Sequence, residues 1–121
     1  MKIYLVRHAR TRHNVEHLCQ GWTDTELDEV GLRQAGAVAE YFADKPLGQI
    51  FSSDHKRAVQ TALPTSLLKT LEIHTTELLR ERNLGELENM PVSALREAFE
   101  EEIHKTGESR FVVRPRGAES A

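Results

Sequence analysis

The chain has 121 residues, 39% hydrophobic and 29% charged, with a formal net charge of −3. This composition excludes a disordered or fibrous chain and points to at most one globular domain. The slight acidity argues against a general nucleic-acid binder, which carries a basic excess.

No apolar run reaches transmembrane length. The run after Lys2 stops at Arg7, short of a signal-peptide core. Cys19 is the single cysteine, which rules out an internal disulfide or a cysteine zinc cluster and suits a reducing compartment. A cytoplasmic location and no membrane partner are therefore expected.

Strand and helix signals alternate along the chain. Ile3–Val6 reads as a short apolar strand, followed by a polar loop from His8 to Leu27. Asp28 is placed to cap a helix whose Leu32, Ala35, Ala39 and Phe42 share a face. Lys45-Pro46-Leu47-Gly48 is a turn, and Gln49–Ser52 a second strand. Asp54 is the expected cap of a helix carrying Arg57, Ala58, Thr61 and Ala62, which Pro64 should kink or end. Leu71–Thr75 reads as a third strand and Thr76–Asn89 as irregular. Pro91 opens a last helix with Val92, Leu95, Phe99 and Ile103 as its apolar stripe, and the tail from Thr106 has little regular character.

Chemistry gathers where the apolar runs end. Ligands of open α/β sheets bind outside the carboxyl ends of the strands, and there Ile3–Val6 runs into Arg7, His8, Arg10, Thr11, Arg12 and Asn14. A neutral imidazole among guanidinium groups suits attack on a phosphate dianion, since the cations attract the phosphate and disfavour protonation of His8. A hydrogen-bonded loop histidine would give the same local pattern. A second basic site follows the next strand, in Ser52-Ser53-Asp54-His55-Lys56-Arg57. An arginine in the first turn of a helix, beside exposed backbone N–H groups, makes a phosphate clamp. A third element, Leu79-Arg80-Glu81-Arg82-Asn83-Leu84-Gly85-Glu86-Leu87-Glu88, puts a carboxylate on a loop.

These stretches resemble, in order, motifs of the histidine phosphatase superfamily, the phosphoglycerate mutase-like proteins. The first is Arg-His-Gly-x-Thr-x-x-Asn, at Arg7 to Asn14. The second is Ser-Ser-Asp-x-x-Arg-Ala-x-Gln-Thr-Ala, matched at every fixed position from Ser52 to Ala62. The third is the loop at Glu81, and Gln20-Gly21 through Asp24, Gly31 and Gln34-Ala35 is a weaker fourth.

The resemblance implies a three-layer α/β/α fold with a largely parallel central sheet. It implies His8 as the nucleophile that takes the phosphoryl group, with Arg7 and Arg57 holding the phosphate oxygens. Asn14 becomes a neutral donor to the same phosphate, and Gln20 and Gly21 belong to the substrate-binding loop. Glu81 becomes the general acid, its proton retained by the like charge of a bound phosphate. Neither metal nor cofactor is implied, and the partner is a small phosphorylated metabolite.

Departures from the pattern are Ala9 and Asn89, where glycine is common, and Glu26 and Asp28 in the substrate-facing loop. These two add negative charge that would disfavour a highly anionic substrate if they face it. The family also has a second histidine, in a Ser-His-Gly segment on a later strand. This sequence runs through Arg114-Pro115-Arg116-Gly117-Ala118-Glu119-Ser120 to Ala121 without it. Residues 1–121 thus read as the N-terminal portion of the domain, lacking a strand that lies between the first and second strands. The other histidines carry bland readings: His13 and His17 solvated in the loop, His55 exposed at a helix start, His74 in a strand, His104 at a helix end. Trp22 reads as a partly buried loop anchor. A phosphatase, a mutase and an inactive phosphate-binding module all fit, with the compact spacing between motifs favouring a phosphatase over a mutase. The substrate and the oligomeric state stay open.

Overall fold

The structure is a computed structural model, and it describes residues 1–106. Internal contacts divide them into two compact units. One comprises residues 1–12 and 25–79, the other 13–24 and the described residues from 80 onward.

In the first unit, helix α2 (Glu29–Phe42) starts as the sequence predicts: Asp28 accepts the Gly31 N–H at 2.7 Å, supplying one of the helix's orphan donors with a partner. (α1 is the short helix Arg12–Val15.) The buried face of α2 is Gly31, Ala35, Ala39 and Phe42. Leu32, expected on that face, is 53% exposed. Strand β1 (Ile50–Ser53) leads through a turn into α3 (Lys56–Lys69), which packs on α2, and then to β2 (Ile73–Thr76). The two strands are parallel, with Ile50 opposite Ile73 and Ser53 opposite Thr76. A parallel pair needs a crossover, and α3 supplies it.

Three local expectations fail here. Ile3–Val6 is not a strand: residues 1–10 lie outside regular structure, and Ile3, Leu5 and Val6 are exposed. A strand exists only through pairing, and among the described residues β1 pairs with β2 alone. α3 runs on through Pro64 to Lys69, so the proline does not end it. One lost N–H is tolerated in a helix that packs on α2 and has buried residues, Thr61 and Thr65, on either side of the proline. The residue at the α3 cap is His55 rather than Asp54. It makes no capping bond through its side chain, and it is buried at 6% exposure, not exposed.

Arg10 ties the start of the chain to α2. Its carbonyl accepts the Asp28 N–H at 3.1 Å, its N–H meets Gln34 Oε1 at 2.9 Å, and its Nε meets Asp28 Oδ2 at 2.7 Å. Asp28 is thus committed to capping and to Arg10. The Gly31 N–H, and after it Arg10, hold its carboxyl below the usual carboxylate range. A depressed folded-state value means stability that is present above the unfolded value of about 3.9 and lost as pH falls through the folded one. Thermal melts of the chain and of Asp28→Asn should therefore differ at neutral pH, with the parent more stable. The gap should close as the pH is taken below 4; a gap independent of pH would refute this account of the cap.

In the second unit, α4 (Val92–Thr106) follows Pro91 directly. Leu95 and Phe99 are half-buried, with the Arg82 guanidinium 4.6 Å from the Phe99 ring, whereas Val92 is exposed. The expected irregular stretch contains two single 3₁₀ turns, Glu77–Leu79 at the end of the first unit and Gly85–Leu87 in the second. Cys19 N–H donates to Met90 O and Asn89 N–H to Cys19 O, both at 2.8 Å, and Val92 N–H donates to His17 O. These bonds stitch the segment after α1 to the segment before α4. Burial pushes the Cys19 thiol up from its ordinary value. The residues of Arg114–Ser120 lie outside the described part.

Candidate active site

Of the sequence-derived site residues, Arg7, His8 and Arg57 belong to the first unit, and Asn14, Gln20, Gly21 and Glu81 to the second.

His8 follows the extended N-terminal segment and is half-buried. Its Nδ1 lies 2.8 Å from the Ala9 carbonyl oxygen. A carbonyl can only accept, so Nδ1 is the donor in this contact, and the tautomer that makes it has its lone pair on Nε2. Arg57 sits in the first turn of α3, at the carboxyl end of β1, and is only 2% exposed. Its Nη1 reaches Thr25 Oγ1 at 3.5 Å.

A single hydroxyl couples these two residues. Thr61 Oγ1 donates to the Arg57 carbonyl at 2.7 Å and accepts the Ala9 N–H at 2.9 Å. The peptide after the histidine is therefore fixed to the helical turn that bears the arginine. Thr61 is buried, so the Ala9 N–H would have no water to replace it. The sequence places Thr61 one turn after Arg57, which is the only hint it offers of this bridge. Arg7 is exposed.

In the second unit, Asn14 lies in α1 and is half-buried, while Gln20 and Gly21 are buried. Gly21 adopts φ +53, and a Cβ there would stand 2.7 Å from Glu88 Oε1 and 3.0 Å from Leu84 N. Both conditions require glycine. Asn89 has φ +66, the left-handed region that glycine takes most readily and asparagine next. That accounts for asparagine at a position where glycine is common. His13 Nε2 bonds Asn89 Oδ1 at 2.7 Å, so this histidine serves the same turn. Glu81 has an exposed side chain, and its carbonyl accepts the Trp22 indole N–H at 2.9 Å. Trp22, 38% exposed, is the loop anchor that its sequence position suggested. Glu88, which closes the third motif without a role assigned to it there, binds Trp22 and Thr23 from 66 and 65 residues away.

The family profile described as Histidine phosphatase superfamily (branch 1) matches residues 3–121. The chain belongs to this superfamily. It is 40% identical over 95 residues to a probable phosphoglycerate mutase, GpmB, of Yersinia pestis (strain Pestoides F), covering 78% of this chain and 44% of that protein. Among solved structures, it resembles a mycobacterial glucosyl-3-phosphoglycerate phosphatase in complex with inorganic phosphate. The TM-score is 0.74 at 30% identity, over 93% of this chain and 52% of that one. It also resembles a phosphoglycerate mutase from Bacillus anthracis, with a TM-score of 0.72 at 28% identity, over 82% of this chain and 48% of that one. The chain spans about half the length of these relatives. The fold is that of the phosphoglycerate mutase-like α/β proteins, with the two parallel strands β1 and β2 as part of its sheet. Among the described residues, no helix is long and apolar enough to cross a membrane.

Proposed function

We propose that the protein is a phosphatase that hydrolyses a small phosphate monoester through a phosphohistidine intermediate on His8. The observation that carries this reading is the Nδ1 contact to the Ala9 carbonyl, which directs the lone pair to Nε2. Nε2 attacks phosphorus, the P–O ester bond breaks, and the leaving alkoxide takes the proton of the Glu81 carboxyl. Glu81, now a carboxylate, then takes a proton from water as the water oxygen attacks the phosphoryl group. The P–N bond breaks and inorganic phosphate leaves.

Arg7 and Arg57 hold the phosphoryl oxygens as they gain charge, with Asn14 as a neutral donor. Gln20 and Gly21 belong to the substrate-binding loop. The named relatives support both a phosphatase and a mutase. In the mutase reading, the phosphoryl group on His8 passes to a second hydroxyl instead of water.

The deciding experiment incubates the full chain with a 32P-labelled alkyl phosphate and quenches in alkali. The proposal expects an alkali-stable, acid-labile label on the peptide containing His8, followed by release of phosphate. Transfer of the label to added phosphoglycerate without release would replace the phosphatase with a mutase. Absence of covalent label in a folded sample that still binds inorganic phosphate would overturn both in favour of a binding module.

A further inference from the structure

The loop that carries Glu81 is held by a carboxylate for which the reaction above has no use. Glu88 Oε1 accepts the Trp22 N–H at 2.8 Å and lies 3.4 Å from the Leu84 amide nitrogen, while Oε2 accepts the Thr23 hydroxyl at 2.8 Å. Both oxygens are thus engaged by donors of the two loops that they join. Trp22 passes the constraint on: its indole N–H donates to the Glu81 carbonyl at 2.9 Å, and the Arg80 guanidinium lies 4.6 Å from its ring centroid. Gly21, with no Cβ to collide with Glu88 Oε1, lets the loops approach this closely.

We propose that Trp22 and Glu88 are positioning residues for Glu81, an inference that rests on the reading of Glu81 as the general acid. Proton transfer requires the Glu81 carboxyl within hydrogen-bond reach of the leaving oxygen. Fixing the peptide from which the side chain springs fixes the point from which it must reach. A rigid indole does this with one bond, and Glu88 sets the backbone of the indole's own residue. Glu88 thereby acts on Glu81 through Trp22.

The test exploits the leaving group. An alkoxide needs a proton to depart and 4-nitrophenolate does not, so only the alkyl ester senses a misplaced acid. Trp22→Phe keeps an aromatic ring beside Arg80 and deletes the N–H. It should lower kcat/KM for phosphorylation of His8 by an alkyl phosphate about tenfold, the worth of one hydrogen bond. The value for 4-nitrophenyl phosphate should stay within twofold. In a Glu81→Gln background, Trp22→Phe should cost nothing further, because the group it positions is gone. Glu88→Gln should show the same selectivity.

Equal losses on the two esters, or an undiminished loss in the Glu81→Gln background, would reduce Trp22 to a structural role and overturn the proposal. If Glu81→Gln itself shows no preference between the esters, the general-acid reading falls first and the positioning role with it. A readout independent of turnover comes from Trp22 as the only tryptophan of the chain. Glu88→Ala should red-shift its emission and open it to acrylamide quenching, and unchanged emission would refute the clamp.

Discussion

His8→Asn is expected to leave the fold intact and to abolish the phosphoenzyme. The amide nitrogen of asparagine sits at the same distance from the backbone as imidazole Nδ1. It can therefore keep the bond to the Ala9 carbonyl that His8 makes at 2.8 Å, while Nε2, the proposed attacking atom, disappears. Thermal melts of the variant and the parent should coincide. Turnover should fall by about 10⁴-fold or more, the scale on which removal of a nucleophile acts when the rest of the site persists. His8→Gln gives the complementary control: its amide nitrogen occupies the place of Nε2 and gives up the bond to Ala9, so it should be equally inactive and somewhat less stable. Covalent label surviving in a folded His8→Asn sample would move the nucleophile elsewhere.

How far such a site can be read from sequence depends on the range of the forces that build it. α2 was legible because a cap and an apolar spacing are local: Asp28 meets Gly31, and Ala35, Ala39 and Phe42 follow at helical intervals. Leu32 falls at helical spacing from Ala35 and Ala39 yet stands outside the buried face. The buried face runs through Gly31 instead, where α2 meets the Arg10 backbone and only a residue without a Cβ fits. Ile3–Val6 has strand composition, but pairing is a property of neighbours, and composition cannot supply one. Pro64 should end a helix by a local rule, yet α3, packed on α2, runs past it.

The candidate site divides in the same way. His8, Arg57 and Glu81 stand in ordered motifs and could be named from the chain. Their supports could not. Thr61 bridges Ala9 and Arg57 across 52 residues of sequence, and Glu88 clamps Trp22 across 66. A threonine in a helix and a glutamate after a leucine carry no mark of such partners. Groups that react are conspicuous by type, whereas groups that orient them are defined only by whom they touch.

Gly31→Ala should be the most damaging single methyl group in the first unit. A Cβ at Gly31 would stand 2.1 Å from the Arg10 carbonyl oxygen, 3.0 Å from its carbonyl carbon and 3.1 Å from its nitrogen. All three atoms are backbone, so no flexible side chain can swing aside. Nor can Arg10 retreat easily, since its carbonyl, its N–H and its Nε are all bonded to Asp28 or Gln34. Overpacking of this kind costs about 3 kcal/mol or more when neither side can move. The strain has a functional direction as well. Arg10 lies two residues beyond His8, so a displaced Arg10 carries the histidine with it, and a shift of about 1 Å can cost 10²-fold in rate. Gly36→Ala is the matched control on the same helix. Its Cβ would meet nothing within 4 Å, and replacing a helical glycine there should stabilise by about 0.5–1 kcal/mol. Urea melts of the two variants should move in opposite directions from the parent, and phosphorylation of His8 should suffer only in Gly31→Ala. If both variants melt alike, the contact between α2 and Arg10 is not the constraint on His8 that its geometry makes it.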